Sequence, residues 1–220
     1  MNNTNAIKFL SEGTSTISLI KKGDFITDYS VSLEYSYNGV DWSEWDLSAL
    51  NINSCGILYI RGNNPGGLNS VSEYYTFVIE GDKVSCSGNI MSLIDYKNLP
   101  DIIPCDYCFS LLFSGCTSLT TAPELPATKL TDGCYYQMFT GCTSLKTAPE
   151  LPAVELSEYC YSYMFFGCSA LTTAPKLFAK GLAYSCYHRM FSYCASLKTT
   201  YDTSAKGLVY SYGNLMVELC

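Results

Sequence analysis

One histidine, His188, and two tryptophans are all that 220 residues hold of these types, and only 15% of the side chains are charged. A single imidazole excludes a His-rich metal centre and forces any Ser-His or Cys-His catalysis through that one residue. Basic charge is scarce as well, with 13 Lys and Arg against 20 Asp and Glu. Up to Lys83 the count is ten acidic to five basic, and beyond it ten to eight, so neither half is basic. Nucleic acid and anionic membrane surfaces need clustered Lys or Arg and are therefore not expected partners. No apolar run approaches a bilayer span, so membrane insertion is not expected either. The start, Met1-Asn2-Asn3-Thr4-Asn5, lacks the charged and apolar regions of a signal peptide; the expectation is export by another route, or a leader missing from this sequence.

What the chain does hold is repetition. Cys134-Tyr135-Tyr136-Gln137-Met138-Phe139-Thr140-Gly141-Cys142-Thr143-Ser144-Leu145 returns as Cys160-Tyr161-Ser162-Tyr163-Met164-Phe165-Phe166-Gly167-Cys168-Ser169-Ala170-Leu171, a period of 26 residues. The same columns recur at Cys108, Phe113 and Cys116, and again at Cys186, Met190, Phe191 and Cys194. A fixed period of this length implies units that bury an apolar face only by stacking on one another. The predicted repeat core is Cys134, Met138, Phe139, Cys142, Leu145, Cys160, Met164, Phe165, Cys168 and Leu171. A worn copy precedes the array, where Leu93, Leu99 and Pro100 lie one period before Leu119, Leu125 and Pro126. Another follows it, with Leu208, Met216 and Cys220 one period after Leu182, Met190 and Cys194.

Twelve cysteines suggest a disulfide framework until their positions are compared. Four share one column (Cys108, Cys134, Cys160, Cys186) and five a second (Cys116, Cys142, Cys168, Cys194, Cys220), leaving Cys55, Cys86 and Cys105 off the lattice. Recurrence once per unit reads as a buried, reduced ladder in which a small apolar side chain packs on its own copy. Zinc is a weaker reading, since seven residues separate the two columns and the repeats contain no CxxC pair. No cofactor and no metal is expected.

Before the repeats the pattern is that of strands. Ile7 to Leu10, Thr16 to Ile20, Val31 to Tyr37, Ile57 to Arg61 and Tyr74 to Ile79 are short β-branched and aromatic runs bounded by Gly, Asn and Asp. They predict a small sandwich, with Asn38-Gly39 as a tight hairpin between Val31–Tyr37 and Val40–Trp45. Trp42 and Trp45 read either as a platform for a sugar or as one core plug and one partly exposed ring. Within a unit, Cys134 with Met138 and Tyr135 with Phe139 have i,i+4 spacing, which predicts a short helix ended by Gly141 in a left-handed conformation. Thr143 to Ala148 then predicts a short extended run stopped by Pro149.

The segment Met138 to Ala153, Met-Phe-Thr-Gly-Cys-Thr-Ser-Leu-Lys-Thr-Ala-Pro-Glu-Leu-Pro-Ala, resembles the leucine-rich repeats of the BspA-like surface protein family. The likeness runs from about residue 90 to the end, and Tyr35 to Trp42 resembles, less specifically, the sandwich that precedes such arrays. The resemblance implies an α+β architecture: an Ig-like β-sandwich over residues 1–85, a junction and N-terminal cap over 86–106, and a leucine-rich repeat solenoid over 107–220. The solenoid would carry short strands on one face and short helices on the other. It also implies a non-enzymatic adhesion protein, extracellular or at the cell surface, that binds protein or glycan on a host or bacterial surface. Leaderless chains of this layout also look like bacteriophage structural proteins, which makes a virion component with neighbouring virion proteins as partners the alternative.

Candidate functional residues come from comparing the copies. Inward columns hardly vary, whereas the columns Leu111, Gln137, Tyr163, Arg189 and Ser114, Thr140, Phe166, Ser192 vary freely. Variation on a rigid frame, together with the Tyr-rich rows, points to a recognition surface of Tyr136, Gln137, Tyr161, Tyr163, Phe166, His188 and Arg189. No catalytic residue is assigned. The column of His188 holds Ser110, Tyr136 and Ser162 in other copies, and nothing in the spacing orients it as a base. Glu124, Glu150 and Lys176 share a column that reads as a solvated stripe.

Overall fold

A computed structural model of the chain describes residues 5–23, 30–53 and 56–198. Cys55 and the whole last copy, with Leu208, Tyr212, Met216 and Cys220, lie outside the described residues. In chain order the strands are β1 (Ile7–Ser11), β2 (Ser15–Gly23), β3 (Leu33–Ser36), β4 (Ser43–Glu44), β5 (Leu50–Ile52), β6 (Ile57–Gly62), β7 (Glu73–Gly81), β8 (Val84–Ser87) and β9 (Leu119–Thr121). A 3-10 turn at Ile90–Leu93 stands between β8 and β9.

The strands form two sheets, one of six in the order β4-β3-β6-β1-β8-β9 and one of three in the order β5-β2-β7. Every pairing is antiparallel except β8 with β9, which is parallel. Side chains that alternate along each strand enter one core between the sheets: Ile7 and Phe9 from β1, Ile17 and Leu19 from β2, Leu58 and Ile60 from β6, Phe77 from β7. The five strand runs read from the sequence are all present, while β5 and β8 fall outside them. The turn at Asn38-Gly39 is wider than a two-residue hairpin. β3 pairs with β4 only from Tyr35↔Ser43, and the Asn38 side chain accepts from the backbone of Val40 and Asp41 to hold the intervening loop. Trp45 plugs the core, and its indole donates to the Ser48 carbonyl. Trp42 is half-buried and covers the Arg61 guanidinium at 3.7 Å, whose other contacts are Tyr96 at 4.0 Å and Glu34 at 2.7 Å. Trp42 is thus a lid on a half-buried cation rather than an open platform.

Among the described residues the expected helices are absent, and with them falls the α+β class and the picture of a solenoid with strands on one face and helices on the other. Among the described residues the chain is nearly all-β, with that single 3-10 turn as its helical content. Where helices were predicted, each unit forms a row of linked β-turns. In the second unit Tyr136 donates to Gly133, Met138 to Tyr135, Thr140 to Gln137 and Cys142 to Phe139, each closing a four-residue turn. Every fourth residue has positive φ: Gly133 at 58°, Gln137 at 54° and Gly141 at 73°. An α-helix needs uniformly negative φ and i to i−4 bonds, so it cannot contain such a row. The left-handed glycine expected at Gly141 is there, as a repeating member of the row and not as a helix stop.

The alternate N–H groups point out of the turns and along the stack. Gly133, Tyr135, Gln137, Phe139 and Gly141 donate to the carbonyls of Glu158, Cys160, Ser162, Met164 and Phe166 at 2.8–3.0 Å. The same set recurs from Tyr107 to Gly115 onto the second unit, and from Tyr159 to Gly167 onto the fourth. Units are therefore bonded to one another through the turn rows. On their other side they meet through parallel bridges that continue the six-stranded sheet from Thr121 to Thr147 to Thr173.

Between these two edges lies the repeat core, and all ten residues predicted for it are fully buried. Its centre is a file of rings. Trp45, Phe77, Phe113, Phe139, Phe165 and Phe191 follow one another at 4.9–6.4 Å between centroids, with planes within 19° of parallel. A second file runs Phe109, Tyr135, Tyr161, Tyr187 at 5.7–5.8 Å. Each such contact adds about 0.5–1.5 kcal/mol beyond the area buried. The first file starts inside the sandwich, so β7 is what the first unit stacks on. The Phe77 N–H donates to Leu112, and the Asn69 backbone and side chain donate to Cys108 and Ser110.

The described cysteines are free thiols, and both columns are buried except the half-buried Cys194. The second column does more than pack. Cys142, Cys168 and Cys194 each direct Sγ to the carbonyl of the phenylalanine one unit back, and Cys116 directs its Sγ to the carbonyl of Phe77 in β7, all at 3.1–3.2 Å. A thiol here is small enough for the core and still supplies a weak donor, which the apolar reading of the column had not included.

Candidate functional site

Turn rows present side chains in a two-in, two-out order. Cys134 and Tyr135 point inward, Tyr136 and Gln137 outward, Met138 and Phe139 inward, Thr140 and Gly141 outward. Stacking the units places the outward pairs side by side, so one face carries a strip of half-exposed rings. Tyr136 packs edge-on against Tyr107 at 6.2 Å and Tyr163 at 6.1 Å, and Tyr163 meets His188 at 5.2 Å. Tyr163 also reaches Phe166 at 5.6 Å, which touches Tyr193 at 4.9 Å. The buried serines Ser110 and Ser162 alternate with Tyr136 and His188 in one column, and the small Ser162 leaves room for Tyr163 to lean between its two neighbours. Gln137 is tied down by its amide, which donates to the Tyr136 hydroxyl at 3.0 Å.

Six of the seven residues expected at a recognition surface are brought together here: Tyr136, Gln137, Tyr163, Phe166, His188 and Arg189. The seventh is corrected. Tyr161 is 1% exposed and belongs to the inner ring file, because it occupies the column of Tyr135 and Tyr187, one residue before the outward pair. Tyr107 and Tyr193 join the strip and were not singled out. Tyr193, 63% exposed, stands at φ 62° in the column filled by Gly115, Gly141 and Gly167, so its backbone strain accompanies an outward ring.

The chain matches no protein-family model, and no curated protein or solved structure is significantly similar to it. The site is therefore read from its own chemistry.

Burial, and then the neighbouring phenols Tyr163 and Tyr107, hold the Tyr136 hydroxyl protonated above its ordinary range. The strip offers phenols, ring edges, one amide, one imidazole and the exposed guanidinium of Arg189. Such a surface suits contact with amphipathic partners, in which an apolar face and hydroxyl or amide groups alternate. A separate cavity of about 270 Å³ opens on the proline edge, lined by Ala122, Pro123, Glu124, Leu125, Pro126, Pro149, Glu150 and Pro152. Its two carboxylates are exposed, as the solvated-stripe reading expects. Among the described residues no helix is long and apolar enough to cross a membrane, and no three His, Cys, Asp or Glu side chains converge on a metal position.

Proposed function

We propose that the protein is a non-catalytic binding protein whose aromatic strip holds a protein or glycan partner at a cell exterior. The observation that carries this reading is the strip itself. Five aromatic side chains and one imidazole, contributed by four successive units, touch one another on a single face instead of being dispersed over the surface. A rigid platform of this kind loses little conformational entropy on binding, and Tyr is over-represented where recognition depends on large amphipathic contacts. The resemblance of residues 138–153 to BspA-like surface repeats supports the same reading and motivates the cellular location.

Arrays of glycans and of surface proteins test it, with the intact protein as probe and a Tyr136→Ser, Tyr163→Ser double variant as control. The expected outcome is retention of a defined class of ligand by the wild type and a loss of about tenfold or more in the variant, the scale of a hot-spot pair. Equal binding by both proteins, with the variant folded by circular dichroism, would place recognition elsewhere.

A further inference from the structure

The sequence contains one CxxC spacing, Cys105-Asp106-Tyr107-Cys108, and it straddles the junction between the sandwich and the first turn row. Tyr107 takes a left-handed conformation, φ 56°, which folds the four residues into a tight loop. Both sulfurs lie against Gly67. A Cβ built on that glycine would stand 2.2 Å from the Cys105 Sγ and 3.2 Å from the Cys108 Sγ, so the two sulfurs flank one point. With φ at 96°, that position suits only glycine, and the bare backbone closes over the pair. The Cys105 thiol is directed at the Asn69 carbonyl, 3.7 Å away. They differ in access, Cys108 being fully buried and Cys105 half-buried.

We propose that Cys105 and Cys108 form a thiol–disulfide exchange site, a dithiol that a low-molecular-weight disulfide such as oxidised glutathione converts into an intramolecular disulfide. Cys105 is the attacking thiol. The neighbouring Cys108 thiol lowers its pKa, against opposition from burial and from Asp106, whereas burial holds Cys108 well above the ordinary thiol range. The Cys105 thiolate attacks one sulfur of glutathione disulfide. That S–S bond breaks, one glutathione leaves as thiolate, and a mixed disulfide forms on Cys105. Cys108 gives its proton to the departing thiolate, attacks the Cys105 sulfur and expels the second glutathione. Two protein thiols are oxidised to one disulfide, and one glutathione disulfide is reduced to two glutathione thiols that carry the two protons. The other described ladder cysteines do not compete, since all but the half-buried Cys194 are buried. A structural zinc would need further ligands, and among the described residues none joins the pair.

The full chain is equilibrated in glutathione buffers from reducing to oxidising, quenched in acid, alkylated and mapped by peptide mass spectrometry. The expected result is a Cys105–Cys108 linkage in the wild type, with Cys134, Cys142, Cys160 and Cys168 still alkylated as thiols after denaturation. In Cys108→Ala the reaction stops at a glutathione adduct on Cys105. In Cys105→Ser, an accessible position, adduct formation in this loop falls by about tenfold or more, the cost of leaving only a buried thiol of raised pKa. No linkage at the oxidising limit, a stable glutathione adduct in the wild type, or Cys105 joined to Cys55 or Cys220 would each overturn the proposal. The wild-type map alone decides it if Cys108→Ala does not fold.

Discussion

Replacing Gln137 by Gly and, separately, by Ala distinguishes a row of turns from a helix by the sign of a stability difference. Both changes remove the same amide contact to Tyr136, so the contrast between the two variants isolates the backbone. In a helix interior Gly is less favourable than Ala by about 0.8–1.0 kcal/mol. Gln137 instead sits at φ 54°, where a Cβ crowds the following carbonyl oxygen at a cost of about 1–2 kcal/mol. Subtracting about 0.5–1 kcal/mol for the greater freedom of unfolded glycine leaves the Gly variant more stable than the Ala variant by up to about 1.5 kcal/mol. For a chain of this size 1 kcal/mol moves the melting temperature by about 2–4 °C, within reach of paired thermal and urea unfolding followed by circular dichroism. An Ala variant equal to or more stable than the Gly variant would refute the left-handed assignment of that column, and with it the turn row.

Two further outcomes follow from the core. The Tyr135 hydroxyl is buried and has no hydrogen-bond partner among the described residues, so Tyr135→Phe should raise stability by about 1 kcal/mol in urea unfolding; a loss of that size would reveal a partner. Burial pushes the Cys116 and Cys134 thiols up to about 12. Such groups keep their protons longer in the folded chain than in the unfolded one. Their contribution is complete below about pH 9 and is lost as pH rises toward 12, each thiol adding a slope of about 1.4 kcal/mol per pH unit within that window. Unfolding free energies measured from pH 8 to 11 should fall accordingly, and a flat profile would mean that the ladder ionises as freely folded as unfolded.

The repeat period, its ten core residues and five of the strands were legible in the sequence because each rests on a pattern that tertiary context reinforces. Copies at fixed spacing must stack, and alternating β-branched runs must pair. The turn rows were not legible as such. Cys134 with Met138 and Tyr135 with Phe139 satisfy a helix over one step, and only Cys142 shows that the inward spacing is four and not 3.6. A helix would have rotated those positions by about 40° per step, so a strict period of four over Cys134, Met138 and Cys142, with Gly133 and Gly141 bracketing it, was the available signal. Misreading the row also misplaced Tyr161, since a helical face and a two-in, two-out row assign that position to opposite sides. The extent of the ring file was hidden for a different reason. Trp45 and Phe77 belong to no repeat, and their alignment with Phe113 depends on how β7 approaches the first unit. The CxxC loop was masked by the lattice itself, which claims Cys108 for one column and leaves Cys105 unassigned.

The one-way hydrogen bonding between successive turn rows has an electrical consequence. In the turn rows of each of the three described interfaces the earlier unit donates and the later unit accepts, so the peptide groups involved are aligned head to tail along that edge of the stack. Each peptide carries about 3.5 D. The turn-row edge is therefore polar, with its carbonyl pole against the sandwich and its N–H groups directed away from it. Asn69 and Phe77 already neutralise the carbonyl pole. A second copy of the array cannot add there. The sandwich thus gives the array its first ring and also closes the carbonyl pole of the turn-row edge.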